Sequence, residues 1–122
     1  MTRLESLCYG VMMAEGWTPG SRSWRNNNPG NLRWSKFQKG QRDGFAYFES
    51  FAAGWLALWF DLFCKCQGKT STGLTGESNL FQLFDKWAPA SDGNDPTKYA
   101  LTVAVRLGVS PFEKLKWFIA DV

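Results

Sequence analysis

The sequence predicts a mainly α-helical (α+β) domain that carries one small β element. Three observations support this fold class: apolar residues recur at helical spacing in several segments, capping residues bound those segments, and only one pair of short β-favouring runs is present. The chain has 122 residues, 44% of them hydrophobic, which is enough for a domain with its own core. We therefore expect a single domain over residues 1–122.

The first predicted helix covers residues 3–15, and Gly16 ends it. Its apolar positions follow i, i+3, i+4, i+7 spacing and are Leu4, Leu7, Cys8, Val11 and Met12. Residues 16–33 lack an apolar period and are rich in Gly, Pro, Ser and Asn, which indicates a long ordered loop. Within this loop, residues 28–31 (Asn-Pro-Gly-Asn) predict a type II turn in which Gly30 has a positive φ.

A β-hairpin is predicted to follow the loop. Residues 31–34 and 45–48 favour β structure, and the polar segment between them, centred on Gly40, can reverse the chain. Ser50 is then predicted to cap a helix that continues to about Cys66 and is apolar nearly all round. The most apolar part of this helix is shorter than the ~20 residues that span a bilayer, so we expect no membrane segment.

Three further helices are predicted in the second half of the chain. An apolar stripe favours a helix over residues 77–87, and the Asp-Pro pair at 95–96 begins a helix that ends at about Leu107, before a glycine. Residues 110–113 (Ser-Pro-Phe-Glu) predict a capping box for a last helix. Its inward side chains would be Phe112, Leu115 and Ile119. The total is about five helices with a hairpin after the first.

Composition excludes several kinds of chemistry. The chain has no histidine, so Ser-His-Asp and Cys-His nucleophiles and His-ligated zinc sites are excluded. Its three cysteines are Cys8, Cys64 and Cys66, and the last two are too close for an ordinary disulfide, so we expect free buried thiols and neither a metal nor a cofactor. The net charge of +3 is mild and the basic residues form no run, which does not favour nucleic-acid binding.

Glu15 is the first candidate catalytic residue. At 100° per residue, Leu4, Val11 and Glu15 fall within about 40° of one another, so the carboxylate shares the apolar face of the helix. Desolvation beside Trp17 and the partial negative charge of the helix end should raise the pKa of this carboxyl, as a general acid requires. The alternative is a solvated glutamate just beyond a frayed helix end.

Residues 25–33, RNNNPGNLR, are rich in amide and guanidinium groups and contain no carboxylate. They can offer many hydrogen bonds to a neutral polar ligand such as a sugar. The candidate binding residues are Arg25, Asn26, Asn27, Asn28 and Asn31. The alternative is an amide-rich turn whose groups satisfy one another. Three tryptophans flank the segment and are candidates for stacking on sugar rings: Trp17, Trp24 and Trp34. The other four are on predicted helices and are expected in the core: Trp55, Trp59, Trp87 and Trp117.

Taken in order, these segments resemble a known family. A helix ends in Glu-Gly-Trp at residues 15–17, and RNNNPGNLR, GFAYF, a helix that contains Gly54, WAPASDGNDPTKYA and RLGV follow. The order is similar to that of lysozyme-like peptidoglycan-cleaving domains of bacteriophages and bacteria, which are related to phage muramidases and lytic transglycosylases. The resemblance implies a lysozyme-like fold with its catalytic glutamate at Glu15. It also implies that Tyr99 lines the substrate cleft, with a core tyrosine as the alternative.

A second carboxylate is normally needed for glycoside hydrolysis. Asp43 and Glu49 are the candidates, since strand periodicity puts them on one face with Phe45 and Tyr47. We prefer Asp43, because Glu49 precedes Ser50 and can simply favour the start of the next helix. Asp43 also has a structural alternative, as an ordinary Asp-Gly turn residue. Lytic transglycosylases need only one catalytic acid, so the absence of a clear second carboxylate is compatible with them. The Glu-Gly pair at 15–16, however, resembles muramidases more closely. The sequence therefore leaves open whether the reaction is hydrolysis or transglycosylation.

The resemblance implies cleavage of the β-1,4 bond between N-acetylmuramic acid and N-acetylglucosamine in peptidoglycan, with Glu15 as general acid and base. The enzyme would be a monomeric muramidase or lytic transglycosylase that acts without a cofactor. We recognise no export signal, so we expect synthesis in the host cytoplasm. The protein would then be a bacteriophage endolysin released through a separate membrane pore, or a lysin carried in the virion. The alternative is a non-catalytic virion or wall-binding protein that keeps the fold.

Overall fold

The structure is a computed structural model that describes residues 1–122. It contains six α-helices and one two-stranded antiparallel sheet, which confirms a mainly helical fold with a small hairpin. The elements in chain order are α1 (Arg3–Ala14), α2 (Arg22–Arg25), β1 (Gly40–Arg42), β2 (Phe45–Tyr47), α3 (Phe51–Gln67), α4 (Leu80–Trp87), α5 (Pro96–Leu107) and α6 (Leu115–Phe118). No helix combines the length and the hydropathy that crossing a bilayer requires.

The chain divides into two compact units. One comprises Met1–Leu7 with Phe63–Val122, and the other is Cys8–Leu62. In the first unit α4 packs on α5, and the fully buried side chains include Leu83, Phe84 and Val103. In the second unit the buried apolar residues come from α1, the hairpin region and α3, and they include Val11, Ala46, Phe48, Leu58 and Leu62. Each unit therefore has apolar contacts of its own.

Most helix boundaries agree with their sequence signals. The Ser50 side chain accepts a hydrogen bond from the Ala53 N–H (3.2 Å) at the start of α3, as predicted. Asp95 caps α5 through the Lys98 N–H (3.0 Å), and Gly108 ends that helix with a φ of +68°. Local side-chain chemistry therefore determines where these two helices begin and where α5 ends.

The hairpin is shorter and later in the chain than predicted. Residues 31–34 do not form a strand, and the chain reverses at Asp43–Gly44 rather than around Gly40. Gly40 pairs with Tyr47 and Arg42 pairs with Phe45. Asp43 and Gly44 both have positive φ values (+53° and +81°), as a two-residue type I′ turn requires. The Asp-Gly dipeptide therefore determines the register.

The prediction that residues 16–33 form a loop without regular structure is wrong in one place. Residues Arg22–Arg25, inside this range, form helix α2. The turn at residues 28–31 is present and is closed by the Asn31 N–H, which donates to the Asn28 carbonyl (2.9 Å). It is not a type II turn, since the positive φ belongs to Asn31 (+48°) and not to Gly30. Gly30 leaves room for a neighbour instead: a Cβ there would lie 2.8 Å from Cδ1 of Leu58, so that side chain would have to shift.

Two predictions near the C-terminus are wrong in detail. Helix α4 begins at Leu80 rather than residue 77, because Asn79 forms a capping box with Gln82. Residues 110–113 form a turn instead of a capping box, and their backbone is used elsewhere: the Pro111 carbonyl accepts the Leu80 N–H (3.2 Å). As a result α6 is a single turn, in which Leu115 and Phe118 are buried, while Phe112 is 69% exposed. Ile119 is half-buried.

The cysteines and tryptophans agree with expectation only in part. None of the three cysteines forms a disulfide; Cys8 and Cys66 are buried, whereas Cys64 is half-buried. Burial raises the pKa of the Cys66 thiol to about 12. The four tryptophans expected in the core are half-buried rather than fully enclosed: Trp55, Trp59, Trp87 and Trp117.

An exposed ion-pair network gives the first prediction. Glu77 accepts from Lys114 and Lys116, with 2.6 Å separating each Nζ from a carboxylate oxygen. These contacts lower the pKa of Glu77 to about 2, below its ordinary value of 4.5. The stabilisation is therefore present above about pH 4.5 and is lost as the pH falls towards 2. Glu77→Gln should lower the melting temperature at pH 7 by about 2 °C, because exposed pairs contribute little.

The measurement is a thermal melt of both proteins at pH 7 and pH 2. At pH 2, or in 1 M salt at pH 7, the difference should shrink towards zero. Asp85→Asn removes an exposed carboxylate that forms no ion pair and serves as the control. A destabilisation of the same size at both pH values would contradict the ion-pair explanation.

Candidate functional site

Glu15 is held at the end of α1 by a Schellman motif. The Gly16 N–H donates to the Met13 carbonyl (3.1 Å) and the Trp17 N–H donates to the Met12 carbonyl (3.3 Å), while Gly16 has a φ of +77°. Glu15 is thus the C-cap residue, and its side chain is half-buried. The helix end is not frayed, which removes one ground for expecting a fully solvated glutamate.

Aromatic side chains pack beside this helix end. The Trp17 ring lies 5.3 Å from the Phe51 ring, and Phe51 lies 5.9 Å from Trp55, as measured between ring centroids. Trp17 is half-buried and Phe51 is 43% exposed. The first turns of α3 therefore fix the indole that follows Glu15, within the unit Cys8–Leu62.

The first two asparagines of RNNNPGNLR end α2. Asn26 is the C-cap, and Asn27 takes the positive-φ position (+50°) that glycine usually occupies. Asn26 accepts the Phe48 N–H at its carbonyl (2.9 Å), and the Asn27 Nδ2 donates to the Phe48 carbonyl (3.1 Å). The Asn26 Oδ1 also accepts from Arg42 (3.2 Å). These two residues join the loop to the end of the hairpin.

Asn28 is fully buried and holds the interior of the same loop. Its Nδ2 donates to the carbonyls of Leu32 and Ala46 (2.9 Å each), and its Oδ1 accepts the Leu32 N–H (2.9 Å). Both donor hydrogens are therefore used within the protein. The alternative interpretation of the segment, an amide turn that satisfies itself, describes Asn28 well.

Asn31 differs from the other three asparagines. Its Oδ1 is buried and has no hydrogen-bond partner, although most buried polar atoms have one. Arg25 is exposed; its backbone N–H donates to the Ser21 carbonyl (2.9 Å), and its side chain makes no hydrogen bond, ion pair or ring contact. Trp24 and Trp34 are 45% and 67% exposed. These four residues hold the unused polar groups and aromatic faces of the loop region.

The two candidate second carboxylates are both exposed. Asp43 is at the tip of the hairpin, in the first central position of the type I′ turn, so its turn role accounts for an Asp-Gly pair there. Glu49 directly precedes Ser50, the residue that caps α3. Each carboxylate therefore has a structural role available: Asp43 in the turn, and Glu49 beside the cap of α3. These are the structural alternatives that the sequence offered for the two residues.

Tyr99 belongs to the other unit. It lies on α5, is half-buried, and its ring centroid is 4.4 Å from that of the buried Phe84. The packing of Tyr99 on Phe84 is typical of a core tyrosine between two helices, here α4 and α5. The remaining candidates, from Glu15 to Glu49, all belong to the unit Cys8–Leu62.

The site has the chemical groups for proton transfer and for binding a polar, ring-containing ligand. A glutamate lies at a helix end whose backbone is fixed, indoles are exposed nearby in the chain, and the loop is anchored by buried amides. No group of three or more cysteine, aspartate and glutamate side chains is arranged to hold a metal ion. No protein-family model, curated protein or solved structure matches this chain.

Proposed function

We propose that this protein cleaves the β-1,4 glycosidic bond between N-acetylmuramic acid and N-acetylglucosamine in peptidoglycan. The observation that carries the proposal is Glu15, a half-buried residue whose backbone is fixed at the Schellman end of α1 and which is followed by the packed indole of Trp17. A general acid must be positioned in this way, because proton transfer requires a defined approach to the leaving oxygen. We extend the proposal to a lysozyme-like fold.

The chemistry needs one carboxyl group in two protonation states. The Glu15 proton passes to the glycosidic oxygen as the bond from that oxygen to C1 breaks. The resulting carboxylate then takes a proton from the nucleophile whose oxygen bonds to C1. That nucleophile is water in a hydrolase, and it is the C6 hydroxyl of the same muramyl residue in a transglycosylase, which yields an anhydro end.

Substrate binding is assigned to the groups that the fold leaves unused. The exposed indoles of Trp24 and Trp34 present flat apolar faces, and the exposed Arg25 side chain offers polar contacts. Asn26, Asn27 and Asn28 position the loop through their backbone contacts. In this proposal the protein is a monomeric phage lysin, either a free endolysin or a component carried in the virion.

Analysis of reaction products tests the proposal. Purified protein is incubated with peptidoglycan, and the soluble fragments are analysed by mass spectrometry. Reducing muropeptides identify a hydrolase, whereas anhydro ends identify a lytic transglycosylase. Release of no fragments by folded protein that sediments with the wall material would reject catalysis and favour a non-catalytic wall-binding or virion protein.

Asp43 gives a prediction that separates its two roles. Asn is favoured at its positive-φ position, so Asp43→Asn keeps the turn while it removes the charge. If the products are hydrolytic, turnover of Asp43→Asn should fall ~100-fold with little change in binding, because the charge would act only in the transition state. Glu49→Gln should stay within about threefold of the unchanged protein.

Kinetics on purified glycan strands provide the measurement, and circular dichroism checks that both variants are folded. A larger loss in Glu49→Gln than in Asp43→Asn would reverse the ranking of the two carboxylates. Near-normal rates in both variants, together with anhydro products, would leave Glu15 as the only catalytic carboxyl.

A further inference from the structure

Basic residues are concentrated in one part of the sequence. Residues 16–42 contain six arginines and lysines and no acidic residue, whereas the rest of the chain has eight basic and eleven acidic residues. All six are exposed: Arg22, Arg25, Arg33, Lys36, Lys39 and Arg42. The positive charge of the molecule therefore belongs to this segment, which lies wholly in the unit Cys8–Leu62.

The hairpin brings three of these guanidinium groups together. Arg22 and Arg33 both lie over the Phe45 ring, at 4.2 and 4.8 Å from its centroid. Arg42 lies 4.4 Å from the centroid of Tyr47. Phe45 and Tyr47 are two residues apart on β2 and so project from the same face of the sheet. We refer to Arg22, Arg33 and Arg42 as the arginine cluster.

No carboxylate neutralises the arginine cluster. None of its three members forms an ion pair, and their one side-chain hydrogen bond joins Arg42 to Asn26. Cation–π contact with the two rings offsets part of the repulsion between the guanidinium groups. A bound anionic ligand would offset the remaining repulsion. A carboxylate suits this role, because its two oxygens can accept two parallel hydrogen bonds from one guanidinium group.

We propose that the arginine cluster binds free carboxylates of the peptide stems of peptidoglycan. This inference rests on the proposed function and names the part of the substrate that the surface recognises. The glycan chain is neutral once its lactyl groups are amide-linked to peptide, so the peptides carry the negative charge. Trp24 and Trp34, exposed and adjacent in sequence to Arg25 and Arg33, can stack on the sugars between stems.

A charge-matched pair of variants tests the proposal in a Glu15→Gln background, which prevents cleavage during binding. Arg22→Gln/Arg33→Gln removes two members of the arginine cluster. Lys69→Gln/Arg106→Gln removes the same charge from exposed residues of the other unit whose side chains make no hydrogen bond, ion pair or cation–π contact. Binding is measured to soluble glycan strands from Gram-negative sacculi, which carry no teichoic acid. The peptides are either retained, or removed by an amidase with the exposed lactyl carboxylates then converted to methylamides so that the peptide-free strands stay neutral.

The arginine-cluster variant should bind peptide-bearing strands about tenfold more weakly at low salt, with a smaller loss at 0.5 M salt. Its binding to peptide-free strands should change less than twofold, and the control variant should change less than twofold on both. Arg33→Lys should lose part of the affinity, because it keeps the charge but not the guanidinium fork. Circular dichroism and melting temperatures verify folding.

Four results would overturn the inference. Equal losses in the two double variants would mean that net charge alone matters, and equal losses on peptide-free strands would remove the peptides as ligand. A loss seen only with a single-stranded oligonucleotide would assign the surface to nucleic acid. Peptide-dependent binding by a protein that releases no fragments would refute the proposed cleavage while it supports this inference; cleavage of strands without peptide-dependent binding would do the reverse.

Discussion

Gly54→Ala is expected to destabilise the protein by at least about 3 kcal/mol, and it is the largest structural effect we predict. A Cβ at this position would lie 1.8 Å from the carbonyl oxygen of Asn27, a backbone atom that cannot rotate away. Either α3 or the loop would have to move. The loop is also held by Asn28 and by the bonds of Asn26 and Asn27 to Phe48, so displacement at Gly54 breaks several contacts together.

Helix propensity alone predicts the opposite sign, because alanine stabilises a helix interior by about 1 kcal/mol relative to glycine. Chemical denaturation gives the free energy of unfolding of the unchanged protein and of Gly54→Ala. The sign of the difference shows whether the packing clash or the helix propensity dominates. Ala52→Gly, at an exposed position of the same helix, measures the propensity term in this context. A Gly54→Ala protein as stable as the unchanged one would mean that α3 does not approach the Asn27 backbone closely.

The need for glycine at residue 54 could not be deduced from the sequence. A glycine inside an apolar helix is compatible with many causes, and its close approach to Asn27 depends on how two distant segments cross. Helix ends such as Ser50 and Asp95 were predictable because a cap involves residues three positions apart. Contacts of long sequence separation leave no such local pattern.

The hairpin and the short helix α2 each have a local sequence signal that predicts them better than composition does. Asp43–Gly44 is a strong two-residue hairpin signal, yet the β-favouring composition of residues 31–34 misplaced the first strand. Helix α2 has four residues, too few for apolar periodicity, but Ser21 caps it by accepting the Trp24 N–H. Its C-terminal signal was concealed, because Asn27 takes the position where glycine is usual.

The candidate site was predictable in its residue types more than in their roles. Composition identified the asparagines of residues 25–33 but could not tell whether their amides face a ligand or the protein backbone. Asn28 makes three internal hydrogen bonds, whereas the Asn31 oxygen makes none. The arginine cluster was missed because its members are spread over 21 positions and meet only on the rings of β2. The stretch without acidic residues was its one visible signal.

Glu15→Gln is expected to reduce peptidoglycan cleavage by at least ~100-fold, because an amide keeps the shape and hydrogen-bonding capacity but cannot donate the proton. The Schellman bonds at Gly16 and Trp17 involve backbone atoms only, so they survive the change and α1 should still end at the same residue. The melting temperature should be unchanged or higher, since a half-buried carboxylate at a helix C-terminus is unfavourable when ionised.

The rate of muropeptide release by Glu15→Gln is compared with the rates of the unchanged protein and of Glu113→Gln. The latter makes the same chemical change at a carboxylate of the other unit. Its remaining carbonyl oxygen can still accept the Lys114 N–H, so this control should keep its full rate. Binding of Glu15→Gln to peptidoglycan should also be retained, which separates lost chemistry from lost recognition. Full activity in Glu15→Gln would exclude it as the general acid, and a clear fall in melting temperature would show instead that its carboxylate stabilises the fold through an ion pair.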